Sequence, residues 1–106
     1  MLQKRVITPG YGEPPRYGQT CVVHYTGLLL NGREFDSSRR RGQPFAFSLG
    51  KGEVIKGWDQ IIGTMRRGER ISVDIPPELA YGAHGIPTLI PPNSTLRFDI
   101  ELISFY

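Results

Sequence analysis

The sequence predicts an α+β fold in which one antiparallel sheet packs its apolar face on a single helix. Segments near both ends of the chain, Thr20–Leu30 and Leu96–Leu102, alternate between apolar and polar residues, as half-buried strands do. Between them, one segment carries apolar residues at helical positions i, i+3, i+4 and i+7, namely Trp58, Ile61, Ile62 and Met65. Strands at both ends with one helix in the middle are typical of α+β architecture.

The N-terminal part is predicted to form a short strand and then a hairpin. Gln3–Thr8 reads as a strand that is ended by a Pro/Gly-rich segment. Thr20–Leu30 is the strongest strand candidate, and Asn31-Gly32 after it predicts a tight turn, because both residues accept positive φ. The return strand would then hold Arg33–Asp36.

The middle of the chain is predicted to contain an interruption, a strand and the helix. Ser37–Gln43 is rich in charge and contains a glycine, which predicts a bulge or loop, and Pro44–Leu49 resumes as a strand. The helix lies within Val54–Met65, and Gly68 is suited to a stop shortly after its end.

The C-terminal part is predicted to supply two strands joined by a long loop. Arg70–Ile75 alternates and is ended by Pro76-Pro77, and Leu96–Leu102 alternates again. The connection between them, Pro76–Ser94, is longer than most loops in compact domains, and such loops are often functional.

Length and composition predict one domain spanning residues 1–106. The chain has 106 residues, of which 39% are apolar, enough for one core. No apolar run of about 18 residues is present, so no membrane span is expected. Met1–Arg5 lacks the apolar stretch of a signal peptide, and the single cysteine, Cys21, excludes an internal disulfide. We therefore expect a reducing, cytoplasmic location.

The motifs of metal, phosphate and nucleophilic sites are missing from the sequence. Gly50-Lys51-Gly52 lacks the spacing of a phosphate-binding loop, and His24 and His84 with one cysteine are too few for a structural zinc site. Ser37, His24 and Asp99 could be written as a triad, but no nucleophile motif surrounds any serine, and His24 reads as a surface strand residue. We expect no metal and no cofactor.

Nucleic acid is not an expected partner. The net charge is only +3, and the basic clusters Arg39–Arg41 and Arg66-Arg67 read as solvated loop arginines. Aromatic residues are not interleaved with these arginines, as they would be in a platform that stacks single-stranded bases.

The placement of the aromatic residues predicts an apolar pocket. Each falls in or beside a strand, the helix or a Pro/Gly-rich loop: Tyr25, Phe35, Phe45, Phe47, Trp58, Tyr81 and Phe98. Folded together, they would line one hollow with few polar groups, as in small-molecule or peptide sites. Trp58 could be core, pocket floor or both. Asp36 lies inside a strand, where Asp is depleted, so it is either a pocket group, a strand-end cap or the partner of an arginine.

Five fragments of the sequence resemble fragments that occur in the same order in the FKBP-type peptidyl-prolyl isomerases, which bind tacrolimus (FK506) and rapamycin. The resemblance covers about Val6–Leu102, and its fragments are Gln19–Gly27, Phe35–Ser38, Val54–Trp58, Ala80–Gly82 and Ile90–Pro92. It implies a twisted antiparallel sheet of five to six strands wrapped around one short α-helix. It also implies a substrate and inhibitor site formed by Tyr25, Phe35, Asp36, Phe45, Val54, Ile55, Trp58, Tyr81, Ile86, Leu89 and Phe98. Of these, it assigns the catalytic roles to Tyr25, Asp36, Tyr81 and Phe98.

The resemblance implies an enzyme that catalyses cis–trans isomerisation of X–Pro bonds in proline-containing peptides and proteins, during protein folding or in regulation. It also implies a monomer that needs no metal or cofactor. Tacrolimus and rapamycin would inhibit it, and the drug complexes would capture calcineurin or the rapamycin target kinase. The best-known members carry His and Ile where this chain has Ile86 and Leu89. Two other functions stay open from the residues alone: a non-catalytic module that holds proline-containing segments, and a nucleic-acid chaperone that uses Arg39–Arg41.

Overall fold

The computed structural model describes residues 2–106, and its frame is one six-stranded antiparallel sheet. The strands are β1 (Lys4–Thr8), β2 (Thr20–Leu29), β3 (Glu34–Ser37), β4 (Phe45–Ser48), β5 (Arg70–Ile75) and β6 (Leu96–Phe105). Their order is β1-β5-β6-β2-β3, and β4 also pairs with β2. Two short helices, α1 (Ser38–Arg41) and α2 (Lys56–Ile62), and a 3₁₀ turn at Pro77–Leu79 complete the fold. The α+β class expected from the sequence is confirmed.

The sheet buries one face, as the alternating pattern requires. In β2, Cys21, Val23 and Tyr25 are buried, whereas their neighbours on the other face are partly exposed. The partner strand β6 alternates in the same way and runs three residues past the predicted end at Leu102, to Phe105. The longest pairing in the sheet joins β2 and β6, so the central pair of strands carries most of the core face.

Helix α2 covers this face and is shorter than the predicted Val54–Met65 segment. Ile55 has an extended backbone and accepts the first helical hydrogen bonds through its carbonyl, so the helix begins at Lys56. Trp58, Ile61 and Ile62 are buried against the sheet. Met65 lies beyond the helix end and is nevertheless fully buried, so the predicted apolar stripe is core throughout. Within residues 2–106, no helix is long and apolar enough to cross a membrane; Met1 lies outside the described residues.

The predicted hairpin is present, but its turn differs from the predicted one. The amide of Gly32 donates to the Leu29 carbonyl, so the central turn residues are Leu30 and Asn31. Gly32 follows with φ 91°, and Asn31 does not adopt positive φ. This is the three-residue hairpin loop in which one glycine forms a bulge, so of the two residues that accept positive φ only Gly32 adopts it.

The segment predicted as a bulge or loop contains the single turn α1. The Ser37 side chain accepts a hydrogen bond from the Arg40 amide and caps the turn at its start. Gly42 has φ 72° and ends it. Both capping residues were visible in the sequence, although one turn has too few positions to show a helical period. This turn places Arg41 beside the end of β3.

Candidate active site

A cavity of about 160 Å³ opens between the concave face of the sheet and α2. Its wall is formed by Tyr25, Phe35, Asp36, Phe45, Glu53, Val54, Ile55, Trp58, Tyr81 and Phe98. Nine of the eleven residues that the sequence analysis assigned to a site therefore border one hollow.

Trp58 forms the floor of the cavity and is packed among other aromatic rings. Its ring centroid lies 4.8 Å from that of Tyr25, 5.4 Å from Phe98 and 6.1 Å from Phe45, all near-perpendicular. Edge-to-face pairs of this kind stabilise by about 0.5–1.5 kcal/mol each beyond the burial of area. The indole nitrogen is buried without a hydrogen-bond partner among the described residues. Trp58 is thus both core and floor, as the two interpretations of the sequence allowed.

Two glycines let the walls come together. A Cβ on Gly27 would lie 2.5 Å from the Phe35 ring and 2.9 Å from the Phe98 ring, closer than real Cβ contacts. The absence of a side chain at Gly27 therefore permits the 5.7 Å edge-to-face pair of Phe35 and Phe98. On α2, a Cβ on Gly57 would lie 2.6 Å from Ile75, so glycine also lets the helix approach β5 closely.

Asp36 lies at the centre of a hydrogen-bonded cluster with Tyr25 and Arg41 at the cavity edge. It accepts a 2.5 Å hydrogen bond from the Tyr25 hydroxyl and pairs with the Arg41 guanidinium. Arg41 also donates to the Tyr25 hydroxyl at 3.1 Å and lies 5.8 Å from the centre of its ring. Burial alone would raise the pKa of Asp36, but the hydrogen bonds from Tyr25 and Arg41 and the arginine charge leave it below its ordinary value. The Asp36 carboxylate is therefore ionised and neutralised by Arg41 at neutral pH.

The two tyrosines of the cavity keep their protons. Burial and then the hydrogen bond to Asp36 raise the pKa of Tyr25, against the opposing effect of Arg41. Burial and then the nearby Asp36 charge raise the pKa of Tyr81. Because both phenols start near 10, both are hydrogen-bond donors at neutral pH. Tyr81 is 38% exposed, on the loop above the floor.

Two of the assigned residues do not border this cavity. The amide of Ile86 donates to the Ile90 carbonyl, and the amide of Ile90 donates to the Ile86 carbonyl, which folds the loop back on itself. Leu89, 38% exposed, faces a separate hollow of about 290 Å³ together with His84 and the loop prolines. Conversely, Glu53 borders the cavity and the sequence analysis missed it. An acidic residue in a Gly-rich turn carries no apolar pattern; its place next to Val54 was the available signal.

The structure does not join Ser37, His24 and Asp99 through hydrogen bonds. His24 is half-buried, and its Nδ1 lies 2.9 Å from the hydroxyl of Ser38, not Ser37. Ser38 is fully buried and also bonds the Tyr25 backbone, so it locks α1 onto β2. The Ser37 hydroxyl pairs with Thr26 at 3.0 Å, and Asp99 pairs with Arg70. These serines are structural.

No metal centre stands out in the described chain. Within residues 2–106, no three His, Cys, Asp or Glu side chains are grouped to hold an ion. A larger and open hollow of about 400 Å³ lies at the β1–β5 edge, with Arg5, Asp74 and Arg97 on its wall. It contains no aromatic residue, and its polar wall suits water rather than an apolar ligand. The aromatic cavity is the better candidate site.

Known proteins match this chain along nearly all of its length. The family model described as FKBP-type peptidyl-prolyl cis-trans isomerase matches residues 12–103. FK506-binding protein 1 of Dictyostelium discoideum is 51% identical over 100 residues, which are 94% of each chain. Peptidyl-prolyl cis-trans isomerase FKBP1A of Xenopus laevis is 50% identical over 103 residues, 96% of this chain and 95% of the relative.

Solved structures give the same result for the fold. The crystal structure of AtFKBP13 superimposes with a TM-score of 0.93 at 46% identity, over 99% of this chain and 93% of that one. That of FkpA from Escherichia coli gives 0.89 at 47% identity, over 98% of this chain and 47% of the other. The chain belongs to the FKBP-type family of peptidyl-prolyl cis-trans isomerases. The resemblance noted in the sequence is confirmed, and with it the enzyme class.

Proposed function

We propose that the aromatic cavity is the place where this enzyme rotates X–Pro peptide bonds. One observation carries the proposal: a hollow of about 160 Å³ is floored by Trp58, has mostly aromatic and aliphatic side chains on its wall, and has no Ser, Thr, Cys, Lys or His among its lining residues. Its Asp36 carboxylate is neutralised by Arg41. Such a site can hold an apolar ring and offers little to a reaction that breaks bonds.

The chemistry needs no group that forms a covalent bond. The barrier to rotation is about 18–20 kcal/mol because the amide loses its resonance at 90°. A planar amide is more polar than a twisted one, and water stabilises its charge separation. A dry aromatic wall therefore disfavours the planar state more than the twisted state, and this difference in binding lowers the barrier. Trp58, Tyr25, Phe45 and Phe98 supply that wall.

Polar groups at the rim would orient the substrate. We assign the Ile55 amide and the Tyr81 hydroxyl as donors to carbonyls that flank the proline. Ile55 lies in extended backbone immediately before α2, and Tyr81 keeps its phenolic proton at neutral pH. Tyr25 and Asp36 are already bonded to each other, so we assign them to fixing the polarity of the wall rather than to proton transfer.

Tacrolimus and rapamycin would occupy the same cavity and compete with substrate. The nine site residues on its wall support this assignment. Capture of calcineurin or of the rapamycin target kinase would depend on the loop that carries Ile86 and Leu89, which lies off the wall. We further propose that the protein is a monomer that acts on client proteins in the cytoplasm. Cys21 would stay reduced there, because burial, and then the charge of Asp59, raise the pKa of its thiol to about 11.

A protease-free isomerisation assay tests the proposal. We expect Leu-Pro and Phe-Pro peptides to isomerise faster with micromolar protein, and saturating tacrolimus to abolish the acceleration. Peptide binding at Trp58 without any acceleration would instead support the alternative, a non-catalytic module that holds proline segments. Acceleration that tacrolimus leaves unchanged would place the activity outside this cavity.

A further inference from the structure

Glu53 supplies the one uncompensated charge on the described wall of the aromatic cavity. Two of the ten wall residues are charged, Asp36 and Glu53. Asp36 is paired with Arg41, whereas Glu53 has no ion-pair partner within residues 2–106. The mouth of an otherwise apolar cavity therefore carries one negative charge on the side of the loop before α2.

The Glu53 carboxylate is held in place by a backbone group. Its Oε1 accepts a 2.9 Å hydrogen bond from the amide of Ser48, at the end of β4. This bond holds one carboxylate oxygen, and the residue as a whole is exposed. A neutral glutamine could accept the same bond, so the hydrogen bond does not by itself require a charge at this position.

Neighbouring charges do not cancel this one. The Lys51 ammonium lies 4.9 Å from the centre of the Tyr17 ring, away from the cavity wall. The Asp59 carboxylate accepts from the amides of Gly50 and Gly52 and adds to the negative potential of the same loop. Lys56 is exposed at the start of α2 and does not border the cavity. None of these groups forms an ion pair with Glu53, so its carboxylate is available to a charged substrate residue.

We propose that Glu53 is a specificity-determining residue that favours substrates with Lys or Arg beside the X–Pro pair. The inference rests on the proposed function, in which proline lies over Trp58 and a flanking carbonyl bonds the Ile55 amide. Each extended residue advances a peptide by only about 3.3–3.6 Å, so a residue flanking a pair bound at Ile55 passes Glu53, two positions earlier in the chain. A cationic side chain there gains an attraction, and an acidic one meets repulsion.

The expected preference is modest and depends on salt. Between exposed charges a few ångströms apart, exchanging Lys for Glu in the peptide reverses the sign of the interaction, which gives a ratio of about three- to tenfold in kcat/KM. At about 10 mM salt the screening length is about 30 Å, and at 1 M it is about 3 Å, so the ratio should fall below about twofold at high salt.

Matched peptides and two variants test the proposal. Three peptide sets share one Leu-Pro core and carry Lys, Glu or Gln at the flanking position, either before or after the core. Glu53→Gln keeps the acceptor for Ser48 and removes the charge. Glu78→Gln is the control, because Glu78 is exposed and does not border the cavity. We expect the Lys-over-Glu ratio to fall to about one in Glu53→Gln and to persist in Glu78→Gln. Turnover of the neutral Gln peptides should be unchanged in Glu78→Gln, and in each variant it is the reference against which the Lys and Glu peptides are compared.

The outcomes separate this proposal from the proposed function. The role of Glu53 would be overturned, and the proposed function would stand, in either of two cases. In the first, wild type turns over the Gln peptides but shows no preference at either flank; in the second, the preference survives in Glu53→Gln. If no peptide is turned over, the proposed function fails, and the same ratio is then read from binding followed by Trp58 emission. Should Glu53→Gln fold poorly, the salt series on wild type decides: a preference that does not weaken at 1 M salt is not electrostatic.

Discussion

Gly27 is predicted to be required because the rings of Phe35 and Phe98 occupy the space of a side chain. Its backbone lies outside the left-handed region, so alanine is allowed by φ, and only the contacts decide the outcome. An added methyl carbon would lie 2.5 Å from Phe35 and 2.9 Å from Phe98. Both rings border the candidate site, so the substitution tests packing and function together.

The magnitude for Gly27→Ala is a difference between two opposing effects. Alanine restricts the unfolded chain and stabilises by about 0.4–1 kcal/mol where the native backbone accepts it. Overpacking that displaces side chains costs about 1–3 kcal/mol. We therefore expect a net loss of about 0.5–2 kcal/mol in the free energy of unfolding, measured by urea denaturation, and a weaker affinity for tacrolimus, measured by Trp58 emission.

Two further variants make the Gly27 prediction refutable. Gly63→Ala is the control for the unfolded-state effect, because Gly63 has φ −62° and the nearest atom would lie 3.3 Å away. It should be neutral or stabilising. In the Phe35→Leu background the ring atoms nearest the new methyl are gone, so Gly27→Ala should lower the free energy of unfolding by less than it does in wild type. A Gly27→Ala protein with unchanged stability and affinity, or an equal cost in both backgrounds, would refute the steric argument.

Three other substitutions follow from the same site and surface. Tyr81→Phe should weaken tacrolimus binding by about 0.5–1.5 kcal/mol, the value of one neutral hydrogen bond, without changing stability; calorimetric titration checks this, and unchanged affinity would remove Tyr81 from the donors. Trp58→Leu keeps apolar volume but removes three edge-to-face pairs, so turnover should fall at least tenfold while urea denaturation stays cooperative; wild-type turnover would show that the floor need not be aromatic. Asp74 pairs with Arg97 at 2.7 Å, and that hydrogen bond, against a smaller effect of burial, lowers the pKa of Asp74. Because this pKa is lower in the folded state, the pair stabilises the fold above about pH 4, and the stabilisation is lost as the pH falls through the folded-state pKa. Asp74→Asn should therefore be less stable than wild type at pH 7, by a difference that shrinks towards pH 2 in denaturant titrations; an equal difference at both pH values would contradict the linkage.

The strands and α2 could be predicted because burial imposes a period on the sequence. Cys21, Val23 and Tyr25 alternate because one face of β2 is core, and Trp58 and Ile62 are buried because α2 covers that face. Turns lack such a period. The hairpin at Gly32 was located from its residue types, but which residue takes positive φ is decided by the register of the flanking strands.

The site was predictable in its apolar part and less so in its polar part. Asp36 proved to satisfy two interpretations together, since it borders the cavity and pairs with Arg41. Arg41 reaches Asp36 only because α1 turns the chain back, and a single helical turn is too short to produce a periodic pattern in the sequence. Ile86 was assigned by resemblance of position; its backbone bonds Ile90, and its side chain is not among the residues that line the cavity. Sequence position alone does not fix the path of a long loop.

We propose that the enzyme acts through an apolar wall and transfers no proton. Hydrogen bonds from Tyr25 and Arg41 outweigh the effect of burial and lower the pKa of Asp36, so this carboxylate does not titrate between about pH 5 and 8. The most direct measurement is the pH dependence of kcat/KM over that range, for wild type and for Asp36→Val, on one Leu-Pro peptide. We expect a flat profile for both proteins, with a lower but measurable kcat/KM for Asp36→Val. A sigmoidal profile in wild type that disappears in Asp36→Val would show a proton-transferring carboxylate and contradict the claim.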